Sequence, residues 1–130
     1  MNTHLEINLK KDLVNYAESS LAREVCGFIC EEENKLVLKK VTNMSADNNV
    51  FLIKPIDFLQ AKLNGNLVSV FHTHVEGSEK LSEYDKENSE NCLCPFLVYS
   101  LETKKFSLFD KSYFERSEKC VNKLRGILDD

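Results

Sequence analysis

Leu9, Leu13, Tyr16 and Ala17 recur at helical spacing before "ESSLAREV" breaks the pattern, which predicts an amphipathic helix over roughly residues 8–19. The period then shortens from 3.6 to 2. In "VCGFICEE", Cys26, Phe28 and Cys30 share one face, and "NKLVLKKVTN" alternates likewise after the "EEEN" turn, as a β-hairpin would. Polar "NMSADNN" reads as a loop and "VFLI" as a short strand. Pro55 suits a first helical turn, and "IDFLQAKL" carries apolar residues on one side until Asn64-Gly65 stops it.

Leu67, Val68, Val70 and Phe71 in "NLVSVFHTH" have few polar interruptions, the mark of a central strand covered on both faces. "VEGSEKL" is a loop, and "SEYDKENSEN" reads as a helix with Ser82 as its N-cap. "PFLVYSL" and "KKFSLFD" flank "ETK" as a strand pair. The closing helix, over about 112–126, runs through Phe114, Val121, Leu124 and Leu128. This interleaved order predicts an α/β (mixed α+β) fold, a central mixed sheet flanked by helices.

At 130 residues with 42% hydrophobic content, the chain can close one core and has no room for a second, so 1–130 is expected to be a single domain. The net charge of −4 is mild, and Lys and Arg are scattered. No footprint for nucleic acid or anionic lipid results. The N-terminus lacks an apolar export signal, and no run of about eighteen apolar residues occurs, so a cytoplasmic protein is expected. Five cysteines, an odd set without scaffold spacing, fit reduced thiols.

Two of the three histidines, His72 and His74, stand one residue apart at the end of the apolar strand. On a strand their rings leave the same face and can meet one ion. Asp85 falls in the first turn of the next helix, where the intervening loop can return its carboxylate to that ion. Two His and one Asp, with a position left for water, match a catalytic zinc site, whereas structural zinc sites are closed by four protein ligands. Such a site also needs a carboxylate that is not a ligand to move protons, and Glu24 is the candidate.

Each residue has a plainer explanation. A His-x-His pair alone is a weak signal, Ser82 is accounted for by helix capping, and Glu24 alone is a solvated charge at a strand entrance. Cys26 as a papain-like nucleophile paired with His72 or His74 is outweighed by its place on an apolar strand face. Cys92 and Cys94 with Cys26 and Cys30 have the wrong spacing for a second, structural zinc. Gly27 suggests close backbone approach.

The pattern His72-Thr73-His74, seven residues, Ser82, two residues, Asp85, preceded by "EVCGF" with Glu24, resembles the JAMM motif of the JAB/MPN metallopeptidase family. The segment "FLIKPIDFLQAKLNGNLVSVFHTH" is similar to that family's strand, Pro-x-Asp helix, turn and strand. The resemblance spans roughly residues 10–109 and comes nearest to the N-terminal domains of lambda-like phage tail assembly proteins and to bacterial stand-alone JAB proteins, with Phe51, Ile53, Pro55 and Asp57 carrying that likeness.

The resemblance implies a JAB/MPN (cytidine-deaminase-like) architecture and one catalytic Zn2+ on His72, His74 and Asp85. It implies Glu24 as general acid/base, Ser82 as stabiliser of the tetrahedral oxyanion, and hydrolysis of a peptide or isopeptide bond in a ubiquitin-like or phage tail protein substrate. The motif departs from the common His-Ser-His-Pro form at Thr73 and Val75, and Glu76 adds a charge beside the site. Rival readings are a catalytically silent MPN scaffold, a metal-stabilised structural piece of a tail, and a DNA-repair-like relative. The oligomeric state is not encoded in any visible pattern.

Overall fold

The computed structural model describes residues 2–64, 66–111 and 118–129, with side chains from Leu9 onward in the first helix. Its elements are α1 (Asn2–Glu18), β1 (Cys26–Glu32), β2 (Lys35–Val41), α2 (Pro55–Leu63), β3 (Leu67–His74), α3 (Glu83–Cys92), β4 (Phe96–Ser100), β5 (Phe106–Phe109) and α4 (Glu118–Asp129). The five strands form one sheet in the order β2-β1-β3-β4-β5. β3 is antiparallel to β1 and parallel to β4, and the two outer pairings are antiparallel. The apolar run of β3 thus lies in the middle of a mixed sheet, as its composition predicts.

Each face of the sheet buries a separate apolar cluster. α1 and α4 cover one face, where Leu9, Leu13 and Ala17 meet Ile29, Phe71 and Leu97, with Val121 and Leu124 closing it. Burying a side chain of this size contributes about 1.5–3 kcal/mol. The other face gathers Cys26, Phe28, Val70, Phe96 and Val98 under Phe51 and Leu81, with Phe58 and Ala61 of α2 packed against them. Because side chains alternate, Phe71 and Thr73 point one way and Val70, His72 and His74 the other. The histidines therefore belong to the α2 and α3 side.

The β1–β2 hairpin turns through Glu33 and Asn34, both with positive φ (52° and 66°), the two-residue geometry that matches strand twist. Gly27 stands where a Cβ would come within 2.6 Å of the Lys39 carbonyl oxygen, so the close approach inferred from sequence is real and excludes any side chain.

Several expectations change. α1 begins at Asn2 rather than near residue 8. "VFLI" is not a strand. Its Leu52 N–H donates to the Asn43 Oδ1 and its Val50 carbonyl accepts from Asn43 Nδ2, so one side chain takes the role of a neighbouring strand. α2 is apolar on more than one side: Phe58 and Ala61 face the core while Ile56, Leu59 and Leu63 are exposed. The closing helix is described from Glu118 to Asp129; Phe114, the rest of its expected start over 112–117, and Gly65 lie outside the described residues. Among the described residues no helix is long and apolar enough to cross a membrane.

Candidate metal centre

β3 delivers His72 and His74 from one face at its C-terminal end, and α3 presents Asp85 to both. His72 Nε2 lies 3.1 Å and His74 Nε2 3.0 Å from the same Asp85 oxygen, Oδ2. One ligand atom from each of the three residues falls within 4.8 Å of the others. Asp85 is the third residue of α3 and is held by a capping box: its N–H donates to Ser82 Oγ (3.0 Å), and the Ser82 N–H donates to Asp85 Oδ2 (3.3 Å). The motif that starts the helix also aims its carboxylate.

The donor set fits a metal ion. His74 Nδ1–H donates to the Ser78 carbonyl at 2.8 Å, which leaves the Nε2 lone pair facing the Asp85 carboxylate. A lone pair opposed to an anion is stable only with a proton or a cation between them. Two imidazole nitrogens and a carboxylate oxygen, with one ring's far nitrogen fixed by a carbonyl, are the ligands and outer contact that zinc takes. The His72 ring is fully buried and stacks on Phe51 (centroids 4.2 Å apart, 24° between planes), with Phe96 at its edge. Its Nδ1 has no hydrogen-bond partner, a cost of about 1–3 kcal/mol.

Burial alone would raise the Asp85 carboxyl, but hydrogen bonds and charge from His72 and His74 outweigh it and hold the group well below the usual carboxylate range. Burial lowers His72, and Asp85 only partly offsets this. For His74 burial again acts downward, yet Asp85, the Ser78 carbonyl and Glu24 together raise it. Of the two rings, His74 is the more readily protonated.

Glu24 is not a solvated charge. It is 6% exposed and shares one cleft with His74, Ser82 and Asp85, whose walls also include Asn49, Val50, Glu76 and Tyr84. Cys26 pairs with His72 across the β1–β3 ladder, so counting back two residues sets Glu24 opposite His74. Thr73, between the two histidines, fixes this register from the other face: its Oγ1 accepts the Val25 N–H (2.9 Å) and its own N–H donates to the Val25 carbonyl (3.0 Å). Thr73 therefore fills its motif position as a clamp on the residue after Glu24.

Burial pushes the Glu24 carboxyl up to about 8, with Asp85 and Asp47 adding to the rise and His74 opposing it. Its folded value lies above the ordinary 4.5, so between the two the unfolded chain has released a proton that the folded chain keeps. The stability this group contributes is full below pH 4.5 and is lost as pH rises through about 8. In metal-free protein, Glu24→Gln is expected to gain on wild type by on the order of 3 kcal/mol between pH 5 and pH 8. Urea unfolding at both pH values measures this, and parallel stabilities would contradict the burial argument.

The cysteines play the bland part expected of them. Cys26 is buried, with its thiol pushed up to about 12 by burial and then by Glu24, so it offers no thiolate nucleophile. Cys26, Cys30, Cys92 and Cys94 are free thiols, and among the described residues the His72, His74 and Asp85 group is the one set of His, Cys, Asp or Glu placed to hold an ion. Two contributors went unread in the sequence: Phe51, known from its motif context but not as the ring on His72, and Asn43, which looked like one more polar loop residue.

No protein-family model matches the chain. It is similar to the tail tip assembly protein K of Escherichia phage N15, with 26% identity over 89 residues that make up 68% of this chain and 37% of that protein. The chain thus spans little more than a third of that relative's length. Among solved structures it is similar to a Desulfitobacterium hafniense protein (TM-score 0.62, 20% identity, 85% of this chain and 86% of that one). It is also similar to a JAB1/MPN domain protein from Archaeoglobus fulgidus (TM-score 0.55, 16% identity, 85% and 92%). With its five-stranded mixed sheet between helices and a candidate metal group at the end of the central strand, this chain has the JAB/MPN fold.

Proposed function

We propose that this chain is a zinc-dependent metallopeptidase of JAMM type that hydrolyses a peptide or isopeptide bond. The observation that carries the reading is the convergence of His72, His74 and Asp85, the last two of them lining a cleft that is also lined by the buried, non-liganding Glu24. A zinc ion held by those three residues would polarise a substrate carbonyl and bring the acidity of water close to neutral pH. Glu24 takes the proton of the attacking water and returns it to the departing amine. A carboxyl lifted to about 8, chiefly by burial, is drawn back toward its ionised form by a cation beside it, into the range useful to a general base. Ser82 Oγ accepts from the Asp85 N–H, so its own proton is free to be donated to the developing oxyanion.

A catalytically silent scaffold would have no use for a carboxyl kept buried at such a cost, which favours the enzyme reading. The substrate is a protein, either a ubiquitin-like conjugate or a phage tail component, bound as an added strand along the cleft. The likeness to a tail tip assembly protein supports the second, acting in the cytoplasm of a bacterial host. Zinc-loaded protein incubated with a lysine-linked ubiquitin-like conjugate, and separately with phage tail-tip proteins, is expected to yield new termini by mass spectrometry in one of them, abolished by chelator. No cleavage of either by protein shown to hold zinc would sink the peptidase reading.

A further inference from the structure

Glu24 lies just outside the strand ladder, whose first pairs are Cys26 with Val41 and Cys26 with His72. Its main chain is held instead by the 43–52 loop: the Glu24 N–H donates to the Asn48 carbonyl (3.0 Å), and the Glu24 carbonyl accepts from Asn43 Nδ2 (2.9 Å). That same Nδ2 donates to the Val50 carbonyl (3.0 Å), while Asn43 Oδ1 accepts the N–H groups of Ser45 and Leu52 (both 2.9 Å). Both donors and both acceptor positions of one amide are used. With two carbonyls on one side and two N–H groups on the other, its orientation is fixed by the network. Asn43 also grips both chain neighbours of Phe51, the ring stacked on His72.

We propose that Asn43 is a positioning residue of the site, joining the Glu24 main chain to the 50–52 segment, whose Val50 lines the cleft. This rests on the reading of Glu24 as general base. The demand is specific to asparagine. Aspartate keeps the acceptor half but turns an oxygen toward two carbonyls, and serine or alanine cannot span the four partners. Arg23 braces the loop from outside, through Asn48 Oδ1 and the Asn43 and Ser45 carbonyls, and so keeps the loop closed when the amide is changed. The four hydrogen bonds of the Asn43 amide go to Glu24, Val50, Ser45 and Leu52, and so to none of the three candidate ligands.

The test uses the full chain as wild type, Asn43→Asp and Asn43→Ala. Carboxyl NMR of 13C-glutamate-labelled, zinc-loaded protein, with the Glu24 signal identified by its loss in Glu24→Gln, reads the position of that side chain without turnover. The expected result is a displaced or mobile Glu24 signal in both Asn43 variants, with zinc stoichiometry and the His72 and His74 ring signals unchanged. On a substrate that the wild type cuts, kcat is expected to fall about 10- to 100-fold with KM within about twofold, the cost of a misplacement near 1 Å. A Glu24 signal identical to wild type overturns the proposal, as does failure of both variants to fold, which would make Asn43 a purely structural residue. If the wild type binds zinc yet cuts nothing, the general-base reading fails by itself, and the NMR still decides whether Asn43 holds Glu24.

Discussion

Glu24→Gln is expected to lower kcat/KM about 1,000-fold while leaving the zinc content at the wild-type level. The carboxyl is the buried, non-liganding acid of the cleft, able to carry a proton between water and the departing amine, and an amide of the same shape cannot take that proton. General acid–base catalysis by one positioned side chain contributes about 10²- to 10⁴-fold, so loss of both of its roles belongs in the middle of that range, about 4 kcal/mol of barrier. Metal retention follows because Glu24 is not among the three convergent ligands. Single-turnover kinetics beside elemental analysis of the same sample separates the two effects. Turnover unchanged in the variant would remove Glu24 from the mechanism.

The second large effect concerns Asp85. Its Oδ2 is the shared partner of both histidines and of the Ser82 N–H, so removing its charge disarms the metal site while the backbone cap, Asp85 N–H to Ser82 Oγ, survives. Zinc at about 1,000 times its dissociation constant stabilises a folded site by about 4 kcal/mol, on the order of 10 °C in Tm for a domain of this size. Wild type is expected to show that rise on zinc addition, and Asp85→Asn only a small fraction of it. Scanning calorimetry with and without zinc measures the pair of shifts. Equal rises would mean that Asp85 does not ligate.

Much of this was legible from residue spacing because the relevant physics is local. A period of two placed both imidazoles on one face of β3, and the Ser82-x-x-Asp85 capping box located both the start of α3 and the carboxylate it carries. The central position of β3 followed from its apolar run, interrupted only at Ser69. Glu24 was different: nothing within its own segment distinguishes it from a surface charge, and only the motif as a whole selected it. Its burial arises from contacts with a loop some twenty residues further along the chain. The same long-range network hid Asn43 and made "VFLI" look like a strand, since alternation records which side chains are buried and not whether a backbone partner is a strand or an amide group. Exposed Ile56, Leu59 and Leu63 on α2 misled in the opposite direction, for apolar character alone does not say which face turns inward.

The central claim is that His72, His74 and Asp85 bind one zinc ion. Its most direct test is elemental analysis of purified wild type beside His74→Ala, both dialysed against metal-free buffer and then offered zinc. The account predicts one zinc per wild-type chain and a loss of that zinc in the variant. Wild-type protein that holds no metal after zinc is offered back would contradict it.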